Sequence, residues 1–512
     1  MEGVFINMRK AIKKNIMGVI QTLYEMHAYI KEYIDKGDKQ NVFLLLEDCQ
    51  QAAIQIGTAI EEAEGDGHVA IKYLEQYCEK VYEISVDDYV SGGKAKKSLD
   101  KSLILSENII KSDVKVRLEV VFMPYKASMW DSMESIWKEM IKDVDFDIYV
   151  VPIPYYDRNP DGTFGTLHYE GDDYPKYVRV IDYTQYDFQE RCPDIVFIHN
   201  PYDEYNYVTS VEPRFYSKEL KKYTECLVYV PYFLVPKMPI SQELISTSVL
   251  FYADYVIAQN EQVRQAYIKE IKEIELLKPN KNYEVLALGS PKTDKIHDIC
   301  KNGIDIPDEW KQKAGTKKKL FINTNVSLIL NNNEKFVENM SRVFEILKRR
   351  NDVFVIWREH PLTNEALKSM RPELLEEYNQ LKKDFIKSNI GVLDTNVEAF
   401  EAMCFSDCYF GAGGSLLPLY AVTGKPMLVT AYKYPDSMSN RMASAAMLLK
   451  YAENHIYYYE KFVNLLDVFL DNLENLMEYR EKRFEILETI TANINGSVGK
   501  KIVETLKEKQ SI

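Results

Sequence analysis

Apolar residues recur at helical spacing over about the first fifth of the chain. Positions 5, 8, 12, 16, 19, 20, 23, 30 and 34 predict a helix over residues 4–34. Asp35-Lys-Gly-Asp38 breaks it. A second helix is predicted over 42–64, ended by Gly65-Asp66-Gly67, and a third over 69–84. Ser91-Gly92-Gly93-Lys94 and the lysine-rich run behind it read as a linker. Residues 1–110 are therefore expected to form an all-helical domain, suited to oligomerisation or to binding a partner.

The period changes near Lys115. Short apolar runs bounded by Pro, Gly, Asn or Asp predict strands at Val116–Pro124, Asp145–Pro154, Pro193–Asp203, Cys226–Phe233, Tyr252–Asn260 and Tyr283–Pro291. Helical stretches alternate with them. Between the second and third lies a long polar stretch, Tyr155–Gly171, read as a loop. Asp298–Lys319 is polar and lysine-rich and reads as a hinge. A second series follows, with strands at Lys319–Asn325, Val353–Pro361, Ile390–Leu393, Cys408–Phe410 and Pro426–Thr430. Residues 443–509 read as helices. Strand–helix alternation predicts parallel sheets. The expected architecture is α/β, a pair of doubly wound Rossmann-type domains at 113–298 and 299–440. The N-terminal helical domain precedes them, and helices of 441–512 pack back onto them.

The 512-residue length fits several domains. A formal net charge of -14 counts against a general nucleic-acid-binding surface. Seven scattered Cys carry no disulfide framework, and Cys404 and Cys408 find no His or Cys cluster that would complete a metal site. No metal and no cofactor is expected. No apolar run reaches the ~18 residues of a membrane span, and a cytoplasmic location is expected.

The candidate chemistry sits at predicted strand ends. Ligands of doubly wound sheets bind at the carboxyl ends of the strands. In the second unit, His360 ends a strand and Arg358 lies two residues earlier on the same face. Both suit a pyrophosphate. Gly411-Ala412-Gly413-Gly414-Ser415 reads as a strand–turn–helix, whose free N–H groups and helix N-terminus would cradle a phosphate. Asp394, with Glu398 four residues on, would bind a ribose or polyol hydroxyl, or cap the helix beginning near Asn396. In the first unit, His199 ends a strand and is the preferred general base, with Asp203 as the alternative. Asp157, Arg158, Asp161 and His168 would line the acceptor side.

Several of these segments resemble the CDP-glycerol glycerophosphotransferase family, the teichoic-acid polymerase and primase type, over residues 220–430. Leu288-Gly-Ser-Pro-Lys-Thr-Asp294 is similar to that family's G-Y-P-R-N-D, Arg358-Glu-His-Pro361 to its R-x-H-P, and Ser406–Pro426 to its S-D…D-Y-S-S…G-K-P block. The resemblance implies a GT-B fold, with His360 and Ser415 on the donor pyrophosphate. Two departures stand out. Ala412-Gly413-Gly414-Ser415 replaces D-Y-S-S. Val230-Pro231-Tyr232-Phe233 stands where the family has W-H-G-T-P, so its histidine is missing. The resemblance implies a transferase that takes CDP-glycerol, CDP-ribitol or a nucleotide sugar as donor. The acceptor would be a polymer or lipid-linked chain, which calls for peripheral association at the inner face of the membrane. A nucleotide-sugar epimerase of the same fold and an inactive scaffold in polymer synthesis are the alternatives.

Overall fold

The computed structural model describes residues 8–159, 161–206, 208–235, 240, 242–274, 282–326, 329–330, 334–396, 398–412, 416–430, 466–478 and 480–510.

Four long helices open the chain: α1 (Lys10–Lys36), α2 (Lys39–Glu64), α3 (Val69–Val86) and α4 (Gly92–Asp113). Short connections make consecutive helices antiparallel. α1 packs on α2 and α4, and α3 on the same two. The fourth helix corrects the linker expected at Gly92–Lys94. Its apolar face, Ala95, Leu99, Leu103 and Ile110, is fully buried in the bundle core. That face outweighs the helix-weakening effect of two glycines near its start.

The bundle is tied to the next domain through a buried carboxylate. Glu119 forms an ion pair with Arg9, Nε to Oε2 2.8 Å, and accepts hydrogen bonds from Arg191 Nε at 2.8 Å and Nη2 at 2.7 Å and from the Tyr186 hydroxyl at 2.5 Å. A carboxylate so enclosed is tolerable only because several donors satisfy it.

The first α/β sheet is parallel throughout. It contains β1 (Met8–Arg9), β2 (Val116–Phe122), β3 (Phe146–Val150), β6 (Ile195–Ile198), β8 (Cys226–Tyr229), β9 (Tyr255–Ala258) and β10 (Glu284–Ala287). β1 and β3 both pair with β2, and the order continues β6-β8-β9-β10. The strands are apolar on both sides because core clusters flank both faces. The stretch expected as a loop is folded instead. β4 (Tyr155–Arg158), β5 (Phe164–His168) and β7 (Thr209–Val211) form a small antiparallel sheet in the order β5-β4-β7, just beyond the carboxyl end of β3. Where the β4–β5 hairpin closes, the Gly162 N–H donates to the Asn159 carbonyl at 2.9 Å, with Gly162 at positive φ.

The second sheet comprises β11 (Lys318–Thr324), β12 (Val353–Glu359), β13 (Gly391–Leu393), β14 (Cys408–Ala412) and β15 (Met427–Thr430), all parallel, in the order β13-β12-β11-β14-β15. Succession runs outward from β11 in one direction and then reverses at β14. That reversal is the topological switch point, where ligands of such sheets bind. In the first sheet the corresponding point lies between β2 and β6.

The segment expected as a hinge begins in a bridging helix, Pro291–Asn302, which contacts elements of both α/β units, and carries a second helix, Asp308–Ala314. The chain then returns to the first domain. Gln259 and Asn260 donate to the carbonyl of Ile490 at 2.8 and 2.7 Å, and Asp294 accepts from the N–H groups of Val498 and Gly499 at the start of the final helix, Val498–Gln510. Gly289 serves this crossing. Its φ is +103°, and a Cβ there would lie 2.4 Å from the Ala492 carbonyl oxygen.

Candidate functional site

The carboxyl end of β12 carries Arg358 and His360. Arg358 is buried and held on three sides. Its Nη1 donates to Asp394 Oδ2 at 2.7 Å, to the Asn396 carbonyl at 3.0 Å and to the Glu398 carbonyl at 3.1 Å. Asp394 also accepts from the Asn396 N–H at 3.0 Å. The two residues therefore shape the turn after β13. His360 is exposed. Its Nδ1 accepts from the Leu362 N–H at 3.2 Å, so its Nε2 carries the proton and can donate outward. Partial desolvation at the turn, and then the Arg358 charge, hold its pKa below the ordinary value.

Gly411 lies in β14, with φ +150°. A Cβ there would meet the Asn323 carbonyl oxygen at 2.1 Å, so the close approach of β11 demands glycine at this position. Gly411→Ala is expected to lower second-domain stability by about 2 kcal/mol or more, read as a fall in the thermal unfolding midpoint. An unchanged midpoint would show that β14 can shift at no cost. Gly413, Gly414 and Ser415 lie outside the described residues, between β14 and the helix Leu416–Val422.

His199 lies at the end of β6, at the switch point of the first sheet. It is fully buried. The Tyr125 N–H donates to its Nε2 at 3.1 Å, which places the proton on Nδ1; that nitrogen is 3.1 Å from the Ser132 hydroxyl, which donates to the Met129 carbonyl at 2.7 Å. Burial, then the Lys292 charge, push its pKa down to about 3. A ring with both nitrogens engaged and no access to solvent pins the turn after β2; it is not placed to take a proton. Asp203 is also buried, at φ +46°. Its carboxylate accepts from the Ser217 N–H at 3.1 Å and the Ser217 hydroxyl at 2.5 Å, and burial pushes its pKa up to about 6. It clamps the loop between β6 and β7.

Other groups gather where the two domains meet. Lys292, on the bridging helix, pairs with Asp131 at 2.5 Å. One turn on, Lys295 pairs with Glu134 at 3.0 Å. Burial alone would raise the Glu134 carboxyl, but Lys295 and Lys138 outweigh it and hold it below the ordinary range. From the second domain comes Glu398. Burial, then the Asp131 charge, push its carboxyl up to about 7, against the opposing pull of Lys292 and Arg358. Close by in sequence, Glu401 has a buried Oε2 with no hydrogen-bond partner among the described residues. A carboxyl that titrates near neutrality beside a lysine–carboxylate pair is suited to proton transfer or to donating a hydrogen bond. Asp131 and Lys292 are not evident as site residues from spacing alone. The one signal is Lys292 within the Leu288–Asp294 segment.

Cys404 and Cys408 are free thiols, and no group of His, Cys, Asp and Glu among the described residues is arranged to hold a metal. No described helix is long and apolar enough to cross a membrane.

No family model matches the chain, and no curated protein matches it. Solved structures do. A UDP-N-acetylglucosamine 2-epimerase is 15% identical, with TM-score 0.51 over 77% of this chain and 96% of that chain. The Neisseria meningitidis UDP-GlcNAc 2-epimerase bound to UDP-GlcNAc is 14% identical, with TM-score 0.45 over 76% and 100%. The wall teichoic acid polymerase TagF is 14% identical, with TM-score 0.44 over 86% and 97%. The first of these, with the strand orders above, establishes the GT-B arrangement of two Rossmann-like domains. Identity this low speaks to fold alone.

Proposed function

We propose that the protein is a transferase that takes a nucleotide-diphosphate donor, CDP-glycerol or a close relative, and adds its glycerol phosphate or a related group to a polymeric or lipid-linked acceptor. The observation that carries this reading is the second sheet's switch point. His360, with a donor N–H on Nε2, stands at the end of β12 beside β11, and β14, on the other side of β11, ends at Ala412 just ahead of the helix Leu416–Val422. Such a point suits a pyrophosphate, whose developing negative charge on the leaving group would be met by N–H donors. Arg358 supports the site from beneath, through Asp394 and the 394–398 turn. The R-E-H-P and G-K-P segments favour CDP-glycerol among the donors. His199 and Asp203 have no part as base in this reading, since each is already committed to the protein's own hydrogen bonds.

The test is a thermal-shift panel of CDP-glycerol, CDP-ribitol and UDP-sugars on the full chain. At least one is expected to raise the unfolding midpoint by several degrees at saturating concentration. His360→Ala should abolish most of that rise while leaving the unliganded midpoint within about 1–2 °C, as expected of an exposed side chain. Absence of stabilisation by every member ends the reading.

The carboxyls Asp131 and Glu398 near the domain junction favour one second reading, a nucleotide-sugar epimerase with a carboxyl acid and base. Loss of stereochemistry in a UDP-sugar without any acceptor would select it over the transferase.

A further inference from the structure

We infer that His168, oriented by Asp157, is the residue that takes the proton from the acceptor hydroxyl. This rests on the transferase reading above and supplies the base that reading lacks.

The inserted antiparallel sheet stands beyond the carboxyl end of β3, on the ligand side of the first domain. His168 and Asp157 lie on its neighbouring strands, with Nε2 2.7 Å from Asp157 Oδ2. Both side chains are half-exposed. A carboxylate acceptor fixes the proton on Nε2 and leaves the Nδ1 lone pair as the proton-accepting atom. Nδ1 has no protein partner among the described residues. In this it differs from His199, whose two nitrogens are both engaged. A base needs an open nitrogen, an orienting partner and a rigid mount.

The mount connects the dyad to the switch point of the first sheet. The His168 ring stacks on Tyr155, with centroids 5.1 Å apart at 22°. Tyr155 meets Tyr125 edge-on at 5.5 Å, and Tyr125 meets His199 edge-on at 5.2 Å. The Tyr155 hydroxyl donates to Glu170 at 2.6 Å, and the other Glu170 oxygen accepts from the Ala127 N–H at 2.8 Å, four residues before Asp131. The Lys126 ammonium lies 4.8 Å from the Tyr155 ring centroid, a cation available to an anionic acceptor. Buried His199 thus fixes the first ring of a row whose last ring is open.

In the step assigned here, the acceptor hydroxyl proton moves to His168 Nδ1. The freed oxygen forms a bond to the phosphorus that carries glycerol. The bond from that phosphorus to the bridging oxygen breaks, and its electron pair leaves with CMP.

The experiment uses the full chain with CDP-glycerol as donor and a short poly(glycerol phosphate) as acceptor, and it reads CMP release and donor-induced thermal shift together. His168→Gln is expected to lower turnover about 10²–10⁴-fold while the donor shift and the unliganded midpoint stay within error. Asp157→Asn should lower turnover by a smaller factor. Added imidazole should restore part of the activity of His168→Ala, which a purely structural cross-strand pair would not allow. His168→Gln that keeps turnover within threefold of the parent overturns the inference and leaves the donor site standing. A parent protein that no donor stabilises overturns both.

Discussion

Asp394→Ala is expected to lower the stability of the second domain by about 3–5 kcal/mol, the range for removing one partner of a buried ion pair. The Arg358 and Asp394 side chains are 9% and 0% exposed, and Nη1 of the arginine is shared with two carbonyls of the turn that Asp394 organises. Removing the carboxylate takes the Asp394 charge from a buried guanidinium and the acceptor from the Asn396 N–H. The loss should appear as a fall of roughly 10 °C in the unfolding midpoint. Asp394→Asn keeps an oxygen for Asn396 and should fall between alanine and the parent. The double substitution Arg358→Met with Asp394→Leu should recover most of the stability, because two apolar groups need no mutual charge. Donor binding should not recover with it, since the turn carrying Glu398 loses its strut. Asp394→Ala within 0.5 kcal/mol of the parent would mean that the pair is solvated.

The legible parts of this fold are those set by local pattern. The parallel strands announce themselves as short apolar runs with Pro, Gly or Asn at their ends, and β2, β11 and β12 occupy the expected residues to within a position or two. α4 is less legible because glycine and lysine dominate its first turns, while the apolar positions that decide its state acquire meaning only against α1 and α3. β4 and β5 are short and polar; their pairing depends on a turn and on Tyr155 finding Tyr125, neither of which has a period. The site divides in the same way. That a histidine ends a strand is visible in sequence for both His199 and His360. Whether it opens to solvent or closes against a backbone N–H depends on the neighbouring strand. His360 stands at an exposed turn, and His199 is covered by the segment after β2. Glycine at 411 marks a close approach of β11. Glu398, Asp131 and Lys292 come from three separate segments, and only the folded chain brings their charges together.

Glu398→Gln is expected to make the protein more stable above neutrality. The Glu398 carboxyl titrates near 7 in the folded chain against an ordinary value of 4.5. Between these values the folded state holds a proton that the unfolded state has released. The folded state is therefore favoured by acid, and the contribution of this group falls as pH rises from about 4.5 to about 7, then levels off. Over such a shift the change amounts to about 3 kcal/mol. Glutamine carries no ionisable proton and resembles the neutral acid in shape, so the variant should not show that decline. Parent and variant should unfold at similar temperatures at pH 4.5, while at pH 8 the variant should lead by about 2–3 kcal/mol, or several degrees. Curves for the two that run parallel across the range would place the Glu398 titration back at an ordinary carboxyl. A stabilising substitution at this position would also bear on function. A group that weakens the fold in its ionised form, beside Asp131 and Lys292, matches the common trade of stability for a reactive site. The same Glu398→Gln protein should then gain stability and lose turnover together.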